Sequence, residues 1–156
     1  MSDSVPPFSP EQIRIGTPDG HTLDIVTTRE GEVVDRRRTI YFHPDETSVS
    51  MRLAPLSEAG VLGSEAMEAR TTWADLRDHA VFPAETTTVT KETIDTPLGS
   101  LPCTRYDVAT GETTTAYWFA AAHPGMPVRY ATLSDGVEVE VTTVVAISLT
   151  VQEDKD

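Results

Sequence analysis

Along most of the chain apolar and polar positions alternate with a period of two, the pattern of strands with one face buried. The segment 47–53 shows it most cleanly: Thr47, Val49, Met51 and Leu53 fall on one side, Ser48, Ser50 and Arg52 on the other. Turn signals separate the runs: Pro18-Asp19-Gly20, Glu30-Gly31, Thr110-Gly111 and Asp135-Gly136. Asp-Gly is among the strongest short hairpin signals, because its backbone tolerates the positive φ that tight hairpin turns require. Strands are therefore expected over 12–17, 21–29, 32–42 and 47–53, then over 86–95, 101–109, 112–120, 127–133 and 137–151. In the last, Val137, Val139, Val141, Thr143, Val145, Ile147 and Leu149 form one face, and Val144 and Ala146 add burial on the other.

Residues 54–81 break this alternation. Ser64 can cap a helical start, and Thr72-Trp73-Ala74-Asp75 has capping-box spacing with Asp in the weaker acidic role. Trp73, Leu76 and Ala80 then share a helical face, and Phe82-Pro83 stops the helix, which is expected over about 64–80. Two hairpin series with one helix between them predict a mostly β (α+β) protein. Its expected form is a curved antiparallel meander sheet, a half-barrel or open barrel, closed by one short helix. The expected organisation is one β-rich domain over 11–151, with frayed tails at 1–10 and 152–156.

Composition supports this picture. A chain of 156 residues is one domain by size and buries about 70% of its unfolded surface. Threonine runs at 86–88 and 113–115 favour strands. The 25 acids against 12 basic residues give a formal charge of -13, which repels phosphate backbones and argues against a nucleic-acid partner. Asparagine is absent and lysine occurs only at 91 and 155, a codon bias that explains part of the imbalance. The first residues carry neither a basic region nor an apolar run, and no stretch approaches the roughly 18 apolar residues of a membrane span. A cytoplasmic protein is expected, with its single cysteine, Cys103, reduced and buried.

Catalytic signatures are absent: no Gly-x-Ser-x-Gly element and no Gly-rich phosphate loop occurs. Asp75, Asp78 and His79 can share a helix face, yet no His-x-x-x-His or Glu-x-x-His pair strengthens a metal site. They read as a solvated acidic face. His43-Pro44-Asp45 matches the chaperone-binding tripeptide of J-domains, but strand formers precede it, and it reads as a proline turn. Arg36-Arg37-Arg38 places at most two guanidiniums on one strand face, and pairing with nearby acids is their expected role. No cofactor, metal or catalytic residue is assigned, and the expected protein is not an enzyme.

The aromatic residues carry the functional expectation. Trp73 sits on the helix, while Tyr106, Trp118 and Tyr130 lie on neighbouring meander strands. Trp118 points opposite to Tyr117 and Phe119, so both sheet faces carry large apolar groups there. A further set of short segments carries a resemblance: Trp73-Ala74-Asp75-Leu76, His79-Ala80, Phe82-Pro83, Thr96-Pro97-Leu98-Gly99, Cys103 to Val108, Tyr117 to Ala120 and Pro124 to Val128. Over 73–128 the chain resembles a family of bacterial proteins of unknown function with a lipoprotein-carrier-like half-barrel. The resemblance implies a curved sheet that holds an apolar chain. Combined with the aromatics, it predicts an apolar or amphipathic small molecule or lipid held between helix and sheet by Trp73, Tyr106, Trp118 and Tyr130. The competing expectation is an acidic interaction module, such as an immunity or accessory protein, that docks a basic protein partner.

Overall fold

The fold is described from a computed structural model covering residues 6–59, 63 and 66–150. Nine strands form one antiparallel sheet: β1 (His21–Arg29), β2 (Glu32–Phe42), β3 (Ser48–Pro55), β4 (Met67–Thr72), β5 (Thr87–Thr96), β6 (Gly99–Thr110), β7 (Thr113–Ala120), β8 (Arg129–Ser134) and β9 (Val137–Leu149). Their order is β4-β3-β2-β1-β9-β8-β7-β6-β5. Two meanders are thus sewn together where the first strand pairs with the last, Leu23 opposite Ile147 and Thr27 opposite Thr142. The sheet is not closed: β4 and β5 are its two edges.

This order forces the position of the helix. The chain leaves β4 at one edge and must reach β5 at the other, so the intervening segment crosses a sheet face. Helix α2 (Trp73–Asp78) and a single 3-10 turn at Ala84–Thr86 make that crossing. A second helix, α1 (Pro10–Ile15), packs against α2. The mostly β, curved-sheet expectation holds, with a second short helix on the covered face.

Four local expectations are corrected. Residues 12–17 were expected as a strand and instead belong largely to α1. Ser9 and Gln12 form a reciprocal capping box, Ser9 Oγ accepting from the Gln12 N–H at 3.1 Å and Gln12 Oε1 accepting from the Ser9 N–H at 2.8 Å, with Pro10 opening the helix. The frayed tail expected to residue 10 is fixed from at least Phe8, which is buried and meets Phe119 edge-on at 6.3 Å. Residues 1–5 and 152–156, also expected to be frayed, lie outside the described residues. The helix expected over 64–80 is shorter among the described residues: Met67–Thr72 is edge strand β4, paired with β3, and Trp73–Asp78 is the α-helical part, while the expected start at Ser64 lies outside the described residues. Its predicted cap is present, Thr72 Oγ1 accepting from the Asp75 N–H at 3.1 Å. Finally, β9 does not keep one face throughout. Asp24 pairs with Ala146 but Ile25 with Val144, so Val145 is an extra, bulged residue. The bulge puts both Val144 and Ile147 on the covered face and leaves Ala146 exposed.

The core follows the layers. Under the helices lie Leu23, Ile25, Tyr41, Tyr106, Phe119 and Val144, roofed by Ile13, Trp73 and Phe82. On the opposite face a smaller cluster gathers Leu101, Cys103, Ala116, Trp118 and Ala131. Burial raises the Cys103 thiol above its ordinary value, with a further push from the Glu92 charge. Native protein is therefore expected to react with a thiol reagent only as fast as it unfolds. Labelling at the rate of an exposed thiol, without denaturant, would contradict this burial.

Candidate functional site

The four aromatic residues expected to bind one ligand are distributed over three environments. Trp73 is 2% exposed and belongs to the core, its indole N–H donating to the Asp45 carbonyl oxygen at 2.8 Å. Asp45 organises that anchor. Its carboxylate accepts the Thr47 and Ser48 backbone N–H groups and an Arg70 guanidinium, which together hold it well below the usual carboxylate range. His43-Pro44-Asp45 is thus the turn that locks the start of α2 to the sheet. Tyr106 is also core, its ring 5.5 Å from Phe119 and 5.7 Å from Phe82.

Trp118 lies on the other side of the sheet altogether. Two guanidiniums cover its ring, Arg105 at 4.8 Å and Arg129 at 4.5 Å from the centroid. Those arginines are held by Glu92, Asp107 and Glu138, and Arg105 draws Glu92 below its usual value. This arrangement buries an apolar ring under paired charges. The Arg36-Arg37-Arg38 cluster is likewise consumed by carboxylates, Arg38 with Asp24 at 2.6 Å, Arg36 with Glu58 and Arg37 with Asp35.

Of the four, Tyr130 alone lines the main recess, while Trp73 borders a separate shallow groove with Glu11 and Arg14. A recess of about 300 Å³ lies on the helix-covered face between α1, α2, the sheet and the loop after β7. Its floor is Leu23, Tyr41, Phe119, Val128 and Val144, all buried. Ile13 and Thr17 close it from the side of α1, Leu76 and Ala80 from the side of α2, and Met126 from the loop. Tyr117 and Tyr130 stand side by side on β7 and β8, ring centroids 6.0 Å apart. At neutral pH the phenols of Tyr41 and Tyr117 are uncharged: burial pushes Tyr41 up to about 12 and raises Tyr117, with the neighbouring Tyr130 adding to the latter.

The polar side chains of the lining are three imidazoles, three phenols and the Thr17 hydroxyl. His21, His79 and His123 all border the recess, three of the four in the chain. His79 is exposed and the other two half-buried, so they form its rim. His21 has its ring 5.9 Å from Tyr41, and its pKa is lowered, first by burial and then by the proximity of His123. Among the described residues, no Asp, Glu, Lys or Arg lines the cavity, and no cluster of three metal-ligating side chains occurs. Sequence reasoning missed Tyr117 and Phe119, which alternation already places opposite Trp118. What it lacked was which sheet face the helices cover.

The fold and this recess define a class: a single open antiparallel sheet whose covered face carries a small, uncharged, apolar cavity beneath two short helices. No family model and no curated protein sequence matches the chain. Among solved structures, it resembles a chain of the MucA/MucB complex of Pseudomonas aeruginosa over 93% of its own length, with a TM-score of 0.58 at 12% identity. It spans 57% of that chain, and at this identity the likeness is one of fold.

Proposed function

We propose that the protein binds a small apolar or amphipathic molecule in the recess beneath α1 and α2, and acts by holding it rather than by transforming it. The observation that carries this reading is the recess itself, about 300 Å³ with a buried apolar floor and an uncharged lining. That volume is at the lower end of the roughly 300–1,000 Å³ typical of small-molecule sites, which suits a single-chain ligand better than a many-chained one. The half-barrel resemblance over 73–128 points the same way. Native mass spectrometry of gently purified protein, combined with titration of an environment-sensitive lipid probe, tests it. Leu76→Trp, which adds bulk from α2 into the recess, should lower probe affinity about tenfold while far-ultraviolet dichroism is unchanged. Absence of both a co-purified molecule and any saturable probe binding would remove the proposal.

A second reading is an acidic module that docks a basic protein. The charge of -13 and the fold's likeness to a member of a two-protein complex favour it. Against it, the carboxylates on the sheet are already paired to arginines of the same sheet, Glu68 to Arg52, Asp24 to Arg38, Glu140 to Arg29 and Glu92 to Arg105, so docking a basic partner through them would have to compete with these pairs. The small-molecule reading is therefore preferred.

A further inference from the structure

The chain carries 25 acidic side chains, yet the described cavity has none on its lining, while three of the four histidines border it, His21 and His123 close enough to sense one another. We propose, building on the binding role above, that the recess selects an amphiphile with an anionic oxyanion head: the chain enters the apolar floor and the head sits among His21, His79 and His123.

Several features point to this ligand chemistry. A neutral imidazole donates one N–H and a protonated one donates two, so a rim of imidazoles can solvate an oxyanion and gains charge when one arrives. A cationic head would meet no carboxylate there. The protein's overall negative charge does not decide the matter, since exposed charges beyond about 8 Å are screened at physiological ionic strength. Of the carboxylates nearest in sequence, Asp19 accepts the His43 backbone N–H, Asp24 pairs with Arg38 and Asp78 with Arg77, while Asp75, one turn before His79 on α2, is exposed and does not line the recess. From α1, Ile13 and Thr17 face the recess, whereas Glu11 and Arg14 line a separate groove. The remaining titratable groups against the rim are the phenols of Tyr41, Tyr117 and Tyr130, potential hydrogen-bond donors.

The pH dependence has a definite sign. Burial and His123 lower the pKa of His21, so in the empty site this imidazole is neutral at neutral pH. A bound anion favours its protonated form, so binding takes up protons and strengthens as pH falls through the histidine range.

Calorimetric titration of the whole chain with decanoate, decyl phosphate, 1-decanol and decyltrimethylammonium tests this, at about pH 6 and about pH 8. Near pH 6 both anions should bind roughly tenfold tighter than decanol, with proton uptake seen as a dependence of the heat on buffer. The gap should narrow near pH 8, and the ammonium should bind no better than the alcohol. His123→Gln, and His21→Gln with it, should erase the anion preference while decanol binding persists, which also shows that the variants fold. Should decyl phosphate alone gain over decanol, the oxyanion rim is upheld and the head is assigned as phosphate. Equal binding of anions and decanol at both pH values overturns the anion rim and leaves the apolar site standing. Failure of every decyl compound to bind overturns both proposals.

Discussion

Trp73→Ala should cost about 3–5 kcal/mol of folding stability, the range for removing a buried large aromatic side chain. For a domain of this size that lowers the melting temperature by roughly 10 °C or more. The side chain is 2% exposed in the main core, and its indole N–H is bonded to the Asp45 carbonyl. Asp45 in turn is fixed by Thr47, Ser48 and Arg70, and the Trp73 N–H itself donates to the Thr47 carbonyl at 3.1 Å. Truncation removes packing and one end of the clamp that seats α2 across the sheet. Trp73→Phe separates the two losses: most of the packing stays, the indole hydrogen bond goes, and the cost should be near 1 kcal/mol. Because Trp73 does not line the recess, Trp73→Phe should leave probe affinity unchanged. Urea denaturation measures the first quantity and probe titration the second. A Trp73→Ala protein within about 0.5 kcal/mol of the parent would place the residue outside the core.

The contrast between Trp73 and Trp118 shows what the sequence could and could not supply. Alternation along β7 separates Trp118 from Tyr117 and Phe119, and the structure keeps that separation. Yet alternation is blind to which face the helices cover. That is decided by topology: β4 and β5 are at opposite edges, so the helix-bearing connection must cross one face, and it crosses the one with Tyr117 and Phe119. Strands β1 and β2 were legible to the residue, since Gly20, Glu30-Gly31 and the apolar alternation mark both ends. Strand β4 was not, because its side chains are almost all exposed and Met67, Glu68, Ala69 and Arg70 are good helix formers. Pairing with β3 overrides that propensity. Helix α1 was misread because Ile13 and Ile15 alternate like a strand. The Ser9 and Gln12 spacing was the available signal, and it straddles the expected tail, 1–10, and the expected strand, 12–17. The histidine rim could not be read at all: β1, the end of α2 and the loop after β7 are far apart in sequence and meet only through the sheet order.

Gly20→Ala should be the other severe change, and it bears directly on the recess. Gly20 has φ of +88° and holds three partners: its N–H donates to the Tyr41 carbonyl at 2.8 Å, and its carbonyl accepts from the Thr150 N–H at 2.7 Å and the Thr22 hydroxyl at 2.8 Å. A Cβ at this position would overlap the Thr150 carbonyl oxygen, a backbone atom that can move only if β1 and the end of β9 separate. Gly31 provides the matched comparison, with φ of +85° and no atom within 4 Å of an added Cβ. Gly31→Ala should therefore cost only the left-handed backbone penalty, about 1–2 kcal/mol. Gly20→Ala should cost that and the clash together, about 3 kcal/mol or more. Since His21 and Tyr41 both line the cavity and both hang on this turn, probe affinity should fall in Gly20→Ala at temperatures where the protein is still folded, and stay unchanged in Gly31→Ala. Equal stability of the two variants would mean that the backbone at Gly20 has room to yield, and the tight joint between the first and last strands would then not be what positions the histidine rim.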